Sequence, residues 1–156
     1  MIQSKTNFDN NVSLTEKLIS KSIEHFCHPQ VYPNFLKNLL KTRSNKKINK
    51  LGCTDSSDGL FQAVQDLAIS SKCKAILNYE KIPKDKDWPK GDRWDEYYFF
   101  GGEDYELVFS LPKKWAKRLS KLDKNINEIG FFVSGKPSIE FKDCLLYTSP
   151  SPRDRG

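Results

Sequence analysis

At 156 residues the chain is long enough to bury one hydrophobic core, and its length favours a single domain. It carries 26 Lys and Arg against 20 Asp and Glu, a net charge of +6, but the basic residues are spread in short runs. The absence of a dense basic block argues against a nucleic-acid partner. The sequence shows neither a signal peptide nor an apolar run of membrane-spanning length, which argues against a membrane partner. Four cysteines without a C-x-x-C pair favour a reducing, cytoplasmic setting.

The first part of the chain predicts a loose segment followed by two helices. Residues 1–12 contain several asparagines and no apolar periodicity. Ser13 to Glu16 fits a capping box, and a helical apolar face continues to Phe26, with Pro29 closing the helix. A second short helix is predicted over residues 34–41.

Three possible metal donors, His25, Cys27 and His28, lie at the end of the first predicted helix. No second donor cluster accompanies them, whereas zinc sites usually combine two ligand pairs. We therefore interpret them as helix-end residues, with histidine near the negative pole of the helix.

The stretch at 55–60, D-S-S-D-G-L, follows a predicted strand at 48–53 and opens a predicted helix from Gly59 to about Ser71. Asp55 and Asp58 offer the oxygen ligands that Mg²⁺ prefers, and Ser57 with the first free backbone N–H groups could meet a phosphate. A bridging metal would remove the repulsion between carboxylates and phosphate. The alternative is that Asp58 is only the N-cap of the helix, since Asp is favoured there.

The middle of the chain predicts a strand at 74–79 and a charged loop at 82–93, long enough to be a lid or an insertion. Trp88 in this loop and Trp94 just after it could stack on a flat ligand or simply anchor the loop to the core. An aromatic-rich stretch at 94–100 then leads to G-G-E-D-Y-E-L at 101–107. The glycine pair either lets the backbone approach a ligand closely or permits a turn that no side chain would tolerate.

The last third predicts a strand at 105–111, a helix beginning at Pro112, and strands at 128–133 and 138–141. The element order favours an α/β or α+β fold with a mixed sheet and packed helices. Neither a Walker-type loop nor G-x-G-x-x-G occurs, so the common nucleotide loops are absent.

Two of these motifs resemble one family. D-S-S-D-G-L at 55–60 is similar to the D-x-S-D-G-L signature of thiamine-monophosphate kinase, and 101–107 is similar to that family's G-G-E-D-Y-E-L, in the same order and at a similar separation. The sequence is most like cyanobacterial members. Residues 71–74, Ser-Lys-Cys-Lys, stand where the family has Ser-Gly-Val-Gly.

The resemblance implies a PurM-like C-terminal-domain fold and phosphoryl transfer from ATP to thiamine monophosphate, giving thiamine diphosphate with Mg²⁺. By motif position it implies Asp55 and Asp58 as Mg²⁺ ligands, Ser57 as an ATP contact and Glu103 as a substrate-binding residue. The partners expected are therefore ATP and thiamine monophosphate.

We expect residues 13–143 to be a truncated PurM-like C-terminal domain. The family's N-terminal domain, which supplies further metal-binding aspartates and the homodimer interface, is not matched, so the chain alone is expected to be inactive. Residues 144–154 look like a translated sequencing adapter, so residues 144–156 are expected to be a non-native tail. The alternative is a natural Ser/Pro-rich tail.

Two other functions stay open at this point. One is another PurM-like ATP-dependent enzyme, such as an aminoimidazole ribonucleotide synthetase or selenophosphate synthetase relative, against which the G-G-E-D-Y-E-L stretch argues. The other is a non-catalytic binding fragment.

Overall fold

The computed structural model describes residues 14–28, 32–43 and 51–142. Within them the chain forms five helices and five strands, with one 3₁₀ turn at Tyr79–Lys81. The helices are α1 (Glu16–Cys27), α2 (Phe35–Thr42), α3 (Leu60–Ser71), α4 (Asp92–Phe100) and α5 (Lys113–Leu122). The strands are β1 (Gly52–Asp55), β2 (Cys73–Leu77), β3 (Leu107–Ser110), β4 (Gly130–Ser134) and β5 (Ser138–Phe141).

The strands form two small sheets rather than one. In the first, β1 pairs antiparallel with β3, and Asp55 lies opposite Leu107. In the second, β2 is central, antiparallel to β4 and parallel to β5. The predicted class, an α/β or α+β fold with mixed strand directions, is confirmed.

The larger core lies between α3 and the second sheet. Val64 and Ala68 of α3 pack against Ala75 and Leu77 of β2, and all four side chains are buried. Val108 of β3 also packs against this cluster. The motif helix is therefore fixed by burial of its apolar face, the main source of helix stability in proteins.

A second core joins α2 to α5 through Trp115, Leu39 and Leu119. The buried Trp115 indole N–H donates to the Leu39 carbonyl at 3.0 Å and to Thr42 Oγ1 at 3.1 Å. A buried indole thus keeps a hydrogen-bond partner, as buried polar groups require.

Several predicted boundaries and one element differ from the structure. The first helix is capped by Thr15, which accepts from the Leu18 amide, instead of by Ser13, which lies outside the described residues. The prediction for 94–100 missed a helix, since these residues belong to α4. The predicted strand at 105–111 is shorter because Glu103 and Tyr105 adopt positive φ, which is incompatible with an extended strand.

Three further predictions fall wholly or partly outside the described residues. They are the loose segment at 1–12, the tail at 144–156, and the first three residues of the strand predicted at 48–53. No helix of the described part is long and apolar enough to cross a membrane. The cysteines that the structure describes, Cys27, Cys53 and Cys73, are free thiols.

Candidate active site at the junction of two motifs

The first motif runs from the end of β1 into α3. Asp55 is the last residue of β1, and the next residue, Ser56, is buried. The Ser56 amide donates to the Glu106 carbonyl at 2.9 Å, and the Glu106 amide donates back to Ser56 Oγ at 3.1 Å. This reciprocal pair continues the β1–β3 ladder by one residue and ties the first motif to the second.

Asp58 is not the N-cap of α3. Gly59 holds that position with a φ of +94°, and no side chain caps the helix. The Gly59 amide donates a hydrogen bond to the Ser56 carbonyl at 2.9 Å, which closes the turn through Ser57 and Asp58. The cap interpretation of Asp58 is therefore wrong, and its exposed carboxylate is left for another role.

The second motif lies directly on this turn. The Glu103 amide donates to the Ser57 carbonyl at 2.7 Å. A Cβ on Gly102 would lie 2.3 Å from that same carbonyl oxygen, so only glycine allows the two backbones to approach this closely. The glycine at 102 thus serves a backbone contact between the two motifs, which lie more than forty residues apart in the sequence.

The backbone that carries Glu103 is strained. Glu103 has a φ of 69° and Tyr105 a φ of 52°, although neither is glycine. Such left-handed residues persist only where the surrounding structure holds them, and they cluster at functional sites. Here the bonds from Glu103 to Ser57 and from Glu106 to Ser56 hold the segment at both ends.

The two aspartates supply oxygen donors of the type that Mg²⁺ takes, but within the described residues they do not form a complete donor set. Asp55 and Asp58 are exposed, and within the described residues neither side-chain carboxylate makes a hydrogen bond or an ion pair. No group of three acidic, histidine or cysteine side chains suited to a metal occurs in the described part of the chain. Magnesium usually takes only one or two protein carboxylates and completes its shell with water and phosphate oxygens. Two free carboxylates beside a turn agree with that pattern.

A cavity of about 1110 Å³ opens next to the junction, between α1, β3 and the loop before α4. Ser56, Gly102 and Glu103 line it, whereas Asp55, Ser57 and Asp58 do not. The structure thus joins all four candidate residues through one backbone junction. Of these four candidate residues, only Glu103 lines the cavity.

His25 of α1 contacts the second motif across this cavity. Its Nε2 lies 3.2 Å from the Asp104 carbonyl oxygen and 3.9 Å from Glu106 Oε1. Because a carbonyl can only accept, Nε2 must carry the proton in this hydrogen bond. His25 is in the last turn of α1, as predicted, but the sequence did not indicate this contact.

Two carboxyl groups of the second motif are partly desolvated. Burial raises the pKa of Asp104, and His25 opposes the rise. Burial also raises the pKa of Glu106, where His25 again lowers it and Asp104 raises it further. Burial therefore disfavours the charged forms of Asp104 and Glu106 on the cavity wall, and a cation bound nearby would stabilise those charged forms.

Four residues of the cavity wall were missed as a site by sequence reasoning: His25, Asp104, Glu106 and Tyr98. Trp88 lines the cavity as well. For this residue the sequence left open whether it stacks on a flat ligand or anchors the loop to the core. Asp104 and Glu106 stood inside the second motif, so the motif itself was the signal for them. His25 and Tyr98 come from separate elements: the sequence marked His25 only as a possible metal donor, and no local pattern indicated Tyr98 or placed either residue at this cavity.

The fold and the junction define the class of protein: an α/β domain in which helices pack on two small β-sheets. A crystal structure of thiamine-monophosphate kinase from Stenotrophomonas maltophilia superposes with a TM-score of 0.51 at 23% identity, over 57% of this chain and 31% of that one. At this identity the likeness concerns the fold alone. No family model matches the chain.

Sequence relatives then show which proteins the chain is similar to. The thiamine-monophosphate kinase of Prochlorococcus marinus is 36% identical over 125 residues, which are 80% of this chain and 38% of that relative. The thiamine-monophosphate kinase of Nitrosopumilus maritimus is 31% identical over 132 residues, 81% of this chain and 40% of the relative. The chain is homologous to part of the thiamine-monophosphate kinases, and it spans about two fifths of the length of these relatives.

Proposed function

We propose that this chain is part of an enzyme that transfers a phosphoryl group from ATP to thiamine monophosphate and forms thiamine diphosphate. The observation that carries the proposal is the 2.7 Å hydrogen bond between the Glu103 amide and the Ser57 carbonyl, because it joins the segment with phosphate and metal chemistry to the segment with substrate chemistry. The kinase relatives support the same reaction.

Each candidate residue has one role in this proposal. Asp55 and Asp58 would hold Mg²⁺, which when bound neutralises phosphate charge during transfer. Ser57 would contact ATP, with its hydroxyl and the turn backbone positioned by the bond to Glu103. Glu103 would bind thiamine monophosphate from the cavity side, where its carboxylate favours the cationic thiazolium or the aminopyrimidine.

Most of the protein's contribution in such a reaction is positioning. Phosphoryl transfer asks little covalent chemistry of the protein, so the alignment of the two substrates and charge neutralisation dominate. The strained segment at 103–105 and the close backbone contact at Gly102 fix the position of the Glu103 carboxylate relative to the turn that carries Ser57.

The complete enzyme is proposed to be a cytoplasmic homodimer formed through an N-terminal domain that this chain does not match, with no nucleic-acid or membrane partner. The chain by itself is proposed to be inactive, because the resemblance assigns further metal-binding aspartates to that domain. Purified chain should therefore give no thiamine diphosphate from ATP and thiamine monophosphate, and a measurable rate would contradict this point.

The test is Asp58→Asn in the complete enzyme that carries this chain. Loss of one metal carboxylate should lower turnover of thiamine monophosphate by about 100-fold, while circular dichroism and the melting temperature stay unchanged. Binding of Mn²⁺, followed by paramagnetic broadening of the amide signals of residues 55–59, should weaken as well.

The matched control is Asp66→Asn, on α3, the helix that follows the turn of Asp58. Asp66 is exposed, and its carboxylate accepts from Gln62 Nε2 at 2.8 Å, away from the junction. This variant should keep turnover and Mn²⁺ broadening. Near-normal turnover in Asp58→Asn, or an equal loss in both variants, would overturn the metal role.

A further inference from the structure

The cavity beside the junction is acidic in a chain that is basic overall. The chain has a net charge of +6, yet six carboxylates line the cavity against two lysines. One of those lysines, Lys21, is paired with Asp85 at 2.8 Å. The cavity therefore attracts cations although the molecule as a whole repels them.

The wall formed by the loop and α4 adds two aromatic rings, Trp88 and Tyr98. The polar atom of each ring is already used. Trp88 Nε1 donates to the Trp94 carbonyl at 3.3 Å, and the Tyr98 hydroxyl donates to the Pro83 carbonyl. Burial raises the pKa of Tyr98 to about 12, so this ring stays neutral. What these residues leave for a ligand is aromatic surface, of which Trp88 offers the larger share, because Lys84 Nζ already lies 5.0 Å from the centroid of the Tyr98 ring.

The two rings support each other and are anchored to α1. Their centroids are 5.6 Å apart at 64°, an edge-to-face arrangement that aromatic pairs favour. The Trp88 amide donates to the Asp85 carbonyl at 3.0 Å, and Asp85 is the residue paired with Lys21 of α1. The sequence allowed Trp88 either to stack on a flat ligand or to anchor its loop. The structure shows an anchored loop, and Trp88 still lies on the cavity wall.

Aromatic faces together with carboxylates are the combination that recognises flat organic cations. We propose that Trp88 and Tyr98 are specificity residues of the cavity, which takes a flat, positively charged heteroaromatic ring such as thiazolium. The inference rests on the proposed function for the identity of that ring. It goes further by assigning two residues outside both motifs to its recognition.

The test uses the chain itself with thiamine, which carries the thiazolium cation but no phosphate. Titration calorimetry should show saturable binding, and thiochrome, a neutral flat derivative of thiamine, should bind more weakly. The chain has three tryptophans, each with one indole N–H signal. In the unmodified chain the Trp88 signal should shift with thiamine, while the signal of Trp115, which lies in the other core, should stay in place.

Trp88→Leu and Trp94→Leu form a matched pair. Both remove an indole from the same region and keep apolar bulk, but only Trp88 lines the cavity. Trp88→Leu should weaken thiamine binding by about 3- to 30-fold, the range expected for one cation–π contact. Trp94→Leu should bind as the unmodified chain does, and Trp88→Phe should retain most of the affinity.

Three results would overturn the inference: no saturable binding of thiamine at millimolar concentration, equal affinity for thiochrome, or equal losses in the two leucine variants. If either leucine variant fails to fold, the indole shifts of the unmodified chain decide alone. The outcome is separable from the kinase assay. Binding through Trp88 without phosphoryl transfer in the complete enzyme would support the cavity assignment and contradict the proposed reaction.

Discussion

The junction and the cavity wall are built in different ways, although they lie side by side. At the junction, Ser56, Ser57, Gly102 and Glu103 meet mainly through backbone atoms. On the cavity wall, α1, the loop before α4, and α4 meet through side chains such as Lys21 with Asp85. A backbone contact restricts which residue types fit, whereas a side-chain wall can be assembled from many combinations. The junction should therefore tolerate less change than the wall.

The strongest test of this contrast is Gly102→Ala. The added Cβ would lie 2.3 Å from the Ser57 carbonyl oxygen, and that atom cannot move without disturbing the turn. We expect the free energy of unfolding to fall by about 1–3 kcal/mol, as for other overpacked sites. Urea denaturation measures the loss, and the amide signals of residues 57 and 103 should move together.

Gly52→Ala is the control for that prediction. Its Cβ would lie 3.0 Å from Leu67 Cδ2, the end of a flexible side chain, instead of a backbone atom. We expect a clearly smaller loss of stability. If both alanines cost the same, the backbone contact at Gly102 has no special weight.

An intermediate effect is expected from His25→Gln on the cavity wall. His25 lowers the pKa of Asp104 and of Glu106, both of which burial raises above their ordinary values of 3.8 and 4.5. Without His25 the pKa values of both carboxyls should rise further, which NMR titration of the side-chain signals measures. His28→Gln is the matched control, since no hydrogen bond or ion pair of His28's ring is found in the described part of the chain.

The sign of the stability change follows from proton linkage. A carboxyl whose pKa is raised in the folded state binds more protons there than in the unfolded chain. Its contribution to stability therefore falls as the pH rises from the ordinary value through the raised folded value. His25→Gln should deepen that fall by a few tenths of a kcal/mol, because both carboxyls are partly exposed. A pH profile equal to that of the unmodified chain would contradict the contact.

The smallest effect concerns Lys72, far from both regions. This residue ends α3 in the left-handed conformation, with a φ of 52°, at the position where the resembled family has glycine. Lys72→Gly should stabilise the fold by about 0.5–1 kcal/mol, since glycine removes the strain at some entropic cost.

Lys114→Gly provides the opposite control in thermal melts. Lys114 is exposed in the first turn of α5, where glycine should destabilise, by less than the ~1 kcal/mol expected for a helix interior. A Lys72→Gly variant that is less stable than the unmodified chain would show that the left-handed lysine is not strained.

Sequence alone predicted those features that depend on local pattern. The helix at 60–71 and the strand at 138–141 follow from apolar spacing, and the fold class follows from element order. Asp55 and Asp58 could be recognised in the sequence as candidate residues of one motif, and so could Gly102 and Glu103, because the members of each motif lie within a few residues of one another. The roles assigned to Asp55, Ser57, Asp58 and Glu103 stay predictions.

The features that sequence missed depend on distant contacts. The aromatic stretch at 94–100 has too many large residues to show a polar face, so α4 was not recognised. The N-cap at Gly59 could not be foreseen, because Asp58 fits the usual cap preference better. His25 lies 79 residues from Asp104, and only the folded chain brings them together.

The hydrogen bond between the Glu103 amide and the Ser57 carbonyl has one more consequence, for how two ligands bound on its two sides would affect each other. A ligand that rigidifies the turn at Ser57 also rigidifies the strained segment of Glu103, so the second ligand meets a segment whose ordering has already been paid for. Thermodynamic reciprocity requires the same gain in the other direction. Under the proposed function, ATP and thiamine monophosphate should accordingly bind with positive synergy, each raising the affinity of the other, which titration calorimetry of the complete enzyme would measure.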